Sequence, residues 1–413
     1  MWDDSVVVEI ICGREGLWGI RNRNLVPIGG AVQLRNMTLE DDSWRTMGGA
    51  SKLGSSAGAS LVGQAAIDYF PTGTTQRNIV RFDDGTIRKD DGAGASWSTL
   101  VSGLTTSGAV PYMTLGGQEA AGNNRKVFHC DRVNAVRVLA ADGATMAAIA
   151  SPPADWAAAN QPGVLCVHQG YMWGGGNKNA PHTVYRSLST NHEDFLTTVF
   201  TILIAADLDE EYITAMLSYK GGLLVWKYPF GVYFIDTSNA TPGNWRYTKV
   251  GRAGAAGPAN VLAVEDDVIW VAPDGSWHAI SATQATGSVR SEDFAYRKLG
   301  AWARDQINLA ELADAQTIYY SHKLEVQLAC AGQGQTTKNK CLVLDVGKRQ
   351  EVGERWIWWD RDRNEALFLR KKSEIYIPAM VDNVGQIWEL DRANRNAANA
   401  AYTSEWFMAD TDF

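Results

Sequence analysis

The sequence predicts an all-β chain, a β-propeller of about seven blades carrying a small N-terminal arm and one short helical insertion. Three observations lead there. First, a unit recurs along nearly the whole chain: a short apolar run, a Gly or Asp-Gly turn, and a second short apolar run. Runs rich in Val, Ile, Trp and Tyr suit strands, and Gly-bearing breaks between them suit tight hairpins. Second, the spacing of these units is nearly constant. Marking each inner apolar run by Ile79, Val127, Met172, Val225, Trp270, Tyr319 and Tyr376 gives intervals of 48, 45, 53, 45, 49 and 57 residues. A four-stranded propeller blade takes about 40–50 residues, whereas immunoglobulin-type sandwiches would repeat at about 100. Third, 40 Gly against 12 Pro marks a turn-dense β protein, and 16 Trp supply large apolar area to thin sheets.

The elements follow in order. The segment 1–49 has strand signals of its own, VVVEII at 6–11 and AVQL at 31–34, and reads as an arm that starts the ring, closes it, or reaches a neighbour. Residues 50–60 are rich in Gly, Ser and Ala and read as a loop. The propeller occupies 50–402. Its clearest hairpins are 78–85 (NIVRFDDG), 125–130 with Asp142-Gly143, 222–226 with 231–236, 267–272 with Asp274-Gly275, and 374–378 with 386–390. The segment 141–161 is Ala-rich, contains Pro152 and Pro153, and reads as a connection across one face. The count of seven hinges on 164–175 belonging to a full blade, and six or eight blades also fit. Over 291–315, Leu299, Trp302, Leu309 and Leu312 fall on one stripe among good helix formers, which predicts the helical insertion. The segment 403–413 ends strand-like at SEWFM, to complete a blade or pair with another subunit.

A chain of 413 residues exceeds the usual single core, but repeats escape that limit because each unit buries its face on its neighbour. The net charge of −8 disfavours a nucleic-acid-coating role, which needs a basic face, and leaves room for a channel along which DNA slides without sticking. The five cysteines, Cys12, Cys130, Cys166, Cys330 and Cys341, form no CxxC pair and read as reduced core thiols of a protein made in a cytosol. Asp3, Asp4 and Glu9 interrupt any N-terminal signal peptide. No apolar run approaches the roughly 18–20 residues of a membrane span.

The chemistry-bearing residues have structural readings. His129, His168, His182, His192, His278 and His322 show no HxxxH or HxH spacing, so ordinary surface or core histidines are expected rather than a metal site. The pairs Asp41-Asp42, Asp83-Asp84, Asp90-Asp91, Glu210-Glu211 and Asp266-Asp267 sit beside predicted turns, where Asp accepts local backbone hydrogen bonds; a glycosidase would instead need two carboxylates across a cleft. The segment 91–97 resembles the Asp-box hairpin of sialidase-type propellers, with the Asp six residues before Trp97 instead of five and without the leading Ser. It is a hairpin signal. GSSAG at 54–58 fits GxSxG around Ser56, but inside a predicted loop and without the strand-turn-helix elbow. Gly174–Gly176 and Gly116-Gly117 lack the Lys-Ser/Thr of a phosphate loop. Trp356, Trp358 and Trp359 around Ile357 make both faces of one strand apolar, as a strand between two packed sheets requires. No catalytic, cofactor-binding or metal-binding residue is assigned, no cofactor is expected, and the chain reads as a non-enzyme.

Four stretches carry a resemblance: GREGLWG at 13–19 with Asn36 and MGG at 47–49; 91–104 with KVFHCD at 126–131; SPP at 151–153 with HQGYMW at 168–173, VYRSL at 184–188 and EDF at 193–195; and LSYKGGLLVW at 217–226 with VYFID at 232–236, 251–257 and DVIWVAPDG at 267–275. In these the chain resembles the β-propeller virion proteins of tailed bacteriophages, the tail hub, nozzle and packaged-DNA stabilisation (head-completion) group. The resemblance is a loose pattern over roughly 10–410. It implies a structural protein of the tail or head-to-tail connection, made in the host bacterial cytoplasm and located in the virion. It further implies six copies in a ring, portal, adaptor or other tail proteins as neighbours, and genomic DNA passing through the channel without sequence-specific binding. Several relatives continue beyond the equivalent of Trp406 with another β domain; this chain stops at Phe413, so the adhesive or tip role of such a domain is not expected. A glycan- or receptor-binding tail-tip propeller, and behind it a glycan-cleaving one, stay open.

Overall fold

A computed structural model describes residues 17–18, 26, 30–35, 37–40, 43–46, 49–71, 76–91, 96–117, 125–197, 199–206, 211–281, 293–300, 302–347, 355–360, 365–392 and 405–408. The expected strand at 6–11 and the pair Asp41-Asp42 lie outside them.

Strands β1 (Ala31–Arg35), β2 (Met37–Glu40), β3 (Ser43–Thr46) and β4 (Gly49–Leu53) come first; β2 and β3 form a separate hairpin. Blade one is β5 (Gly63–Tyr69), β6 (Arg77–Phe82), β7 (Ile87–Asp90) and β8 (Trp97–Val101). Blade two is β9 (Tyr112–Gly116), β10 (Lys126–Cys130), β11 (Arg137–Leu139) and β12 (Met146–Ala148). Blade three is β13 (Val164–His168), β14 (Tyr171–Gly175), β15 (Thr183–Arg186) and β16 (Phe200–Leu203). Blade four is β17 (Tyr212–Tyr219), β18 (Gly222–Tyr228), β19 (Phe230–Asp236) and β20 (Arg246–Ala253). Blade five has three strands, β21 (Val261–Val264), β22 (Asp267–Val271) and β23 (Trp277–Ala279). Blade six is β24 (Gln316–Tyr320), β25 (Glu325–Cys330), β26 (Lys340–Asp345) and β27 (Arg355–Asp360), extended outward by β1 and then β31 (Glu405–Met408). Blade seven is β28 (Ala366–Lys372), β29 (Ile375–Val381) and β30 (Ile387–Arg392), with β4 as its fourth strand.

These sheets make a seven-bladed propeller. The first strand of every blade packs beside the first strand of the next, and β28 meets β5 to complete the circle. The segment 164–175 does belong to a full blade, which settles the count at seven.

The core is divided among seven walls, one between each pair of adjacent blades. This follows from the two-residue period of a strand inserted between two sheets. Along β6, Ile79 faces blade two while Val80 and Phe82 face blade seven. Along β18, Leu223 and Val225 face blade three while Leu224 and Trp226 face blade five. Tryptophans occupy most walls: Trp156 between blades two and three, Trp173 and Trp245 between three and four, Trp226 and Trp270 between four and five, Trp277 and Trp356 between five and six, and Trp388 between six and seven. Several meet edge to face, Trp277 and Trp356 with centroids 5.1 Å apart and Trp226 and Trp270 5.8 Å apart.

The turn chemistry matches the sequence signals. In three blades the second and third strands are joined identically: the Phe82, Ala272 and Asp382 amides bond the carbonyl four residues on, and the Gly85, Gly275 and Gly385 amides bond back. Each glycine has φ between +67° and +80°, open to Gly at no steric cost. On the opposite face, Gln169-Gly170 and Lys220-Gly221 both have positive φ at both positions, the type I′ geometry that suits a right-handed hairpin twist.

Five differences from the sequence reading have physical causes. Residues 49–53 form a strand where 50–60 reads as loop, because Leu53, Lys52 and Ser51 find partners in Ile387, Trp388 and Glu389, more than 300 residues away. Met146–Ala148, inside the expected connection 141–161, is the outer strand of blade two, held by β11. The predicted helix is three short pieces, Tyr296–Leu299, Trp302–Gln306 and a 3-10 turn Leu309–Asp314. Gly300, at φ +50°, ends the first, and Asn308 caps the last by accepting the Ala310 amide at 3.2 Å. The apolar stripe holds: Leu299 and Leu312 are buried, with Trp302 and Leu309 packed on the same cluster. Tyr319 lies on the first strand of blade six, whereas the other six markers lie on second strands, because the helical insertion shifts the repeat there. Tyr376 is on its blade's second strand but at the exposed outer end.

Candidate functional site

The polar side chains singled out in the sequence are spread over the walls and turns. His168, at the end of β13, receives a hydrogen bond at Nδ1 from Ser218 Oγ and donates from Nε2 to Thr237 Oγ1, both at 2.8 Å. Thr237 in turn donates to the Gly221 carbonyl, so this histidine of blade three is tied to blade four. His192 accepts the Gly117 amide at 2.8 Å and donates to the Gly170 carbonyl at 3.0 Å, tying blade two to blade three. His278 stacks on Trp270 and bonds Ser276 Oγ, which also bonds Asp274. His182 is buried in a blade-three loop, and His322 sits in the β24–β25 turn beside Tyr320. Among the described residues no three of His, Cys, Asp and Glu converge to hold a metal ion.

The carboxylates are similarly engaged. Asp84 Oδ1 accepts the Thr86 amide at 2.9 Å and its hydroxyl at 2.6 Å, and pairs with Arg88 at 2.9 Å. Asp267 accepts the Val268 and Ser281 amides. Two members of the acidic pairs serve no turn and are buried. Asp90 is buried and takes both the backbone and side-chain N–H groups of Asn78, at 2.7 and 2.6 Å. Glu211 pairs at 2.6 Å with the fully buried Lys227. Ser56 lies between strands β4 and β5, and its hydroxyl bonds the Gly58 and Val384 carbonyls, so strand-turn-helix geometry is missing around it. The Asp-box-like hairpin joins β7 to β8 through Asp91 and Ser96, and Trp97 packs edge-on against Phe82 while donating to the Ser55 carbonyl. Trp356 is buried in the wall of blade six; the side chains of Trp358 and Trp359 lie outside those described. Cys130, Cys166, Cys330 and Cys341 are buried and outside any disulfide among the described residues.

Two polar assemblies were not visible in the sequence. The first lies where the ring closes. Arg370 and Lys372 of β28 both bond Glu389 of β30 at 2.7 Å, and Arg370 also bonds Gln76 of blade one at 3.0 Å. Gln76 donates to both oxygens of Asp68, which also accepts the Lys371 amide. Burial raises the pKa of Asp68 against these bonds. Nearby, Gln316 of blade six accepts the Leu367 amide of blade seven and donates to the Gln64 carbonyl of blade one. One amide side chain thus spans three blades.

The second assembly is in the wall between blades one and two, whose apolar cluster contains no tryptophan. Alternation along β6, β10 and β11 turns Arg81, His129 and Arg137 into this wall beside Ile79, Val127 and Leu139. His129 is fully buried, neither ring nitrogen has a hydrogen-bond partner, and Asp131 Oδ2 is 3.9 Å from Nε2. Burial first, then the charges of Arg81 and Arg137, push its pKa down to about 4 against the opposing effect of Asp131.

The rim has a different character. Val199, Leu203 and Leu196 on the outer side of blade three are 70 %, 59 % and 50 % exposed. Beneath them Arg186 is buried against the rings of Tyr171, Phe200 and Trp245. On one face, Arg132 stacks at 3.9 Å on Tyr212, which stacks at 5.2 Å on the partly exposed Tyr228, next to the exposed Phe230.

No protein family profile matches this chain, and no curated protein does. Solved structures do match. The WD40 repeats of RRP9 are similar over 83 % of this chain and 97 % of that one, at 9 % identity and a TM-score of 0.50. A chain of the mitotic checkpoint complex aligns over 80 % and 90 % at 10 % identity and a TM-score of 0.46, and the computationally designed Ika8 protein over 83 % and 99 % at 12 % identity and 0.42. At such identities the likeness to the RRP9 repeats is one of fold, and this fold hosts many unrelated functions.

Only the second assembly left a trace in the sequence, too slight to locate it. Charged residues inside apolar strand runs, Arg81 in NIVRF and His129 in KVFHC, face a wall by alternation; nothing local indicated that they would face each other.

Proposed function

We propose that this protein is a structural component of a bacteriophage virion, in the tail or the head-to-tail connection, whose copies form a ring around the DNA path, stabilise packaged DNA and channel its ejection. The observation that carries this reading is where the polar chemistry goes. His168, His192, Gln316, Asp68 and Glu389 are each spent on tying one strand or blade to another. Rigid walls with an apolar patch on the rim of blade three suit a building block that transmits load and packs beside copies of itself. The four stretches of family likeness, at 13–49, 91–131, 151–195 and 217–275, supply the phage assignment.

The test is the particle. Virions assembled without this protein are expected to lack tails or to leak DNA. Intact, infectious particles would overturn the reading. A second reading, a glycan- or receptor-binding propeller, draws on Tyr228 and Phe230 exposed beside the Arg132–Tyr212 stack. Specific, saturable binding on a saccharide array that is lost in Tyr228→Ala would favour it. Tryptophans, the usual sugar-stacking residues, are buried or half-buried wherever their side chains are described.

A further inference from the structure

We infer that copies of this chain join edge to edge, the outer edge of β31 on blade six of one copy adding to the outer edge of β16 on blade three of the next. The inference deepens the ring reading above and rests on it.

An exposed strand edge presents unpaired N–H and C=O groups, and proteins guard such edges with charge, shortness or cover. Most blades here do so. The outer strand of blade two is three residues long. That of blade four exposes Arg246, Lys249 and Arg252. In blade five the Trp277 backbone is engaged on this edge, its amide bonding Asp293 and its carbonyl accepting from the Phe294 amide. Blade seven ends in the closing strand β4, which carries Lys52. Blade one ends in the polar, exposed Ser98 and Thr99. Blade three differs in presenting an apolar edge. Its outer strand, FTIL, has no charge, exposes Thr201 and Leu203, and continues the exposed Leu196 and Val199.

Blade six has the opposite peculiarity. Four strands complete a blade, yet β1 and β31 extend it, β31 pairing antiparallel with β1 from Arg35↔Glu405 to Ala31↔Met408. Two added strands carry the sheet about 10 Å outward at roughly 4.8 Å each. The outermost strand among the described residues, EWFM, matches FTIL in length, and FTIL brings no charge against it. Blades four and five lie between the two edges on one side and blades seven, one and two on the other, so a chain cannot pair its own edges. A contact between two different edges is heterologous and repeats directionally, which is what builds a ring.

Cysteine trapping tests this in a Cys12→Ser background, where the four remaining thiols are buried. Thr201→Cys and Phe407→Cys are made as separate chains, with Glu405→Cys as partner for the adjacent register. The mixture should give a disulfide-linked dimer on oxidation, each chain alone should give none, and the double variant should give a ladder. Leu203→Lys, at an exposed position that folding does not need, should abolish the ladder. Thr201→Cys crosslinking to itself would overturn the proposal in favour of two blade-three edges meeting. So would a wild-type chain that sediments as a monomer at all concentrations, or a ladder indifferent to Leu203→Lys. Tail defects in particles made without the protein, with no edge crosslinking, sink this contact alone; edge crosslinking together with intact, infectious particles made without the protein sinks the virion reading.

Discussion

Acid should weaken the fold through the wall between blades one and two. His129 is fully buried there, with the Arg81 and Arg137 guanidinium groups beside it and Asp131 Oδ2 3.9 Å from Nε2. Its folded pKa of about 4 lies below the unfolded value of 6.5, so the unfolded chain takes up the proton first. Stability from this group is therefore complete above pH 6.5 and falls as pH drops through the window towards 4. At about 1.4 kcal/mol per pH unit, with half the folded molecules protonated at the end of the window, the loss is about 3 kcal/mol by pH 4. His168 and His192 are also depressed by burial and add to the slope with the same sign, so the informative quantity is a difference. Urea unfolding of the wild type and of His129→Leu, from pH 7 to pH 4, should show the variant losing about 3 kcal/mol less. Its stability at pH 7 should change little, since neither ring nitrogen makes a hydrogen bond. Parallel pH profiles for the two proteins would refute the reasoning.

Three other perturbations follow from the walls, the closure and the turns. Trp226→Ala empties the wall between blades four and five, where the indole is fully buried against Trp270, and should cost about 3–5 kcal/mol in chemical denaturation. Glu389→Ala leaves Arg370 buried without its carboxylate at the closing blade and should cost about 3–5 kcal/mol, whereas removing Glu389 and Arg370 together should cost less than the sum of the two single changes. Gly85→Ala places a Cβ 2.4 Å from the Leu104 carbonyl at φ +80°, while Gly103→Ala, at φ +74°, meets nothing within 4 Å. Both pay the backbone cost of about 1 kcal/mol, and only the first should pay more, read as a larger fall in Tm.

The repeat was legible because its signals are local. Asp84-Gly85 and Asp274-Gly275 fix their own turns by hydrogen bonds within five residues, and the apolar runs of β6, β10, β18 and β22 alternate between walls without help from elsewhere. What escaped is what depends on a distant partner. Residues 49–53, Gly-Ala-Ser-Lys-Leu, have weak strand character and become a strand because β30 offers them an edge. Good helix formers over 291–315 predicted one helix, but Gly300 and the Asn308 cap break it into pieces, and Asp293 and Phe294 ahead of them bond Trp277 of β23 where a fourth strand would stand. The sequence read His129, His168 and His192 only as ordinary surface or core histidines; that all three are buried, and which blades they join, was not legible.

The closing strand also sets an order of events at the ribosome. The β4 segment is made first and its partner β30 about 330 residues later, roughly half a minute at ordinary translation rates. Until then the nascent chain is an open arc, with blade one's Val80 and Phe82 facing water where blade seven will stand. A gene rearranged so that codons 49–53 follow codon 392 would let the last blade form from contiguous chain. It would shift the exposed interval rather than remove it, because two blades must still find each other across the gap.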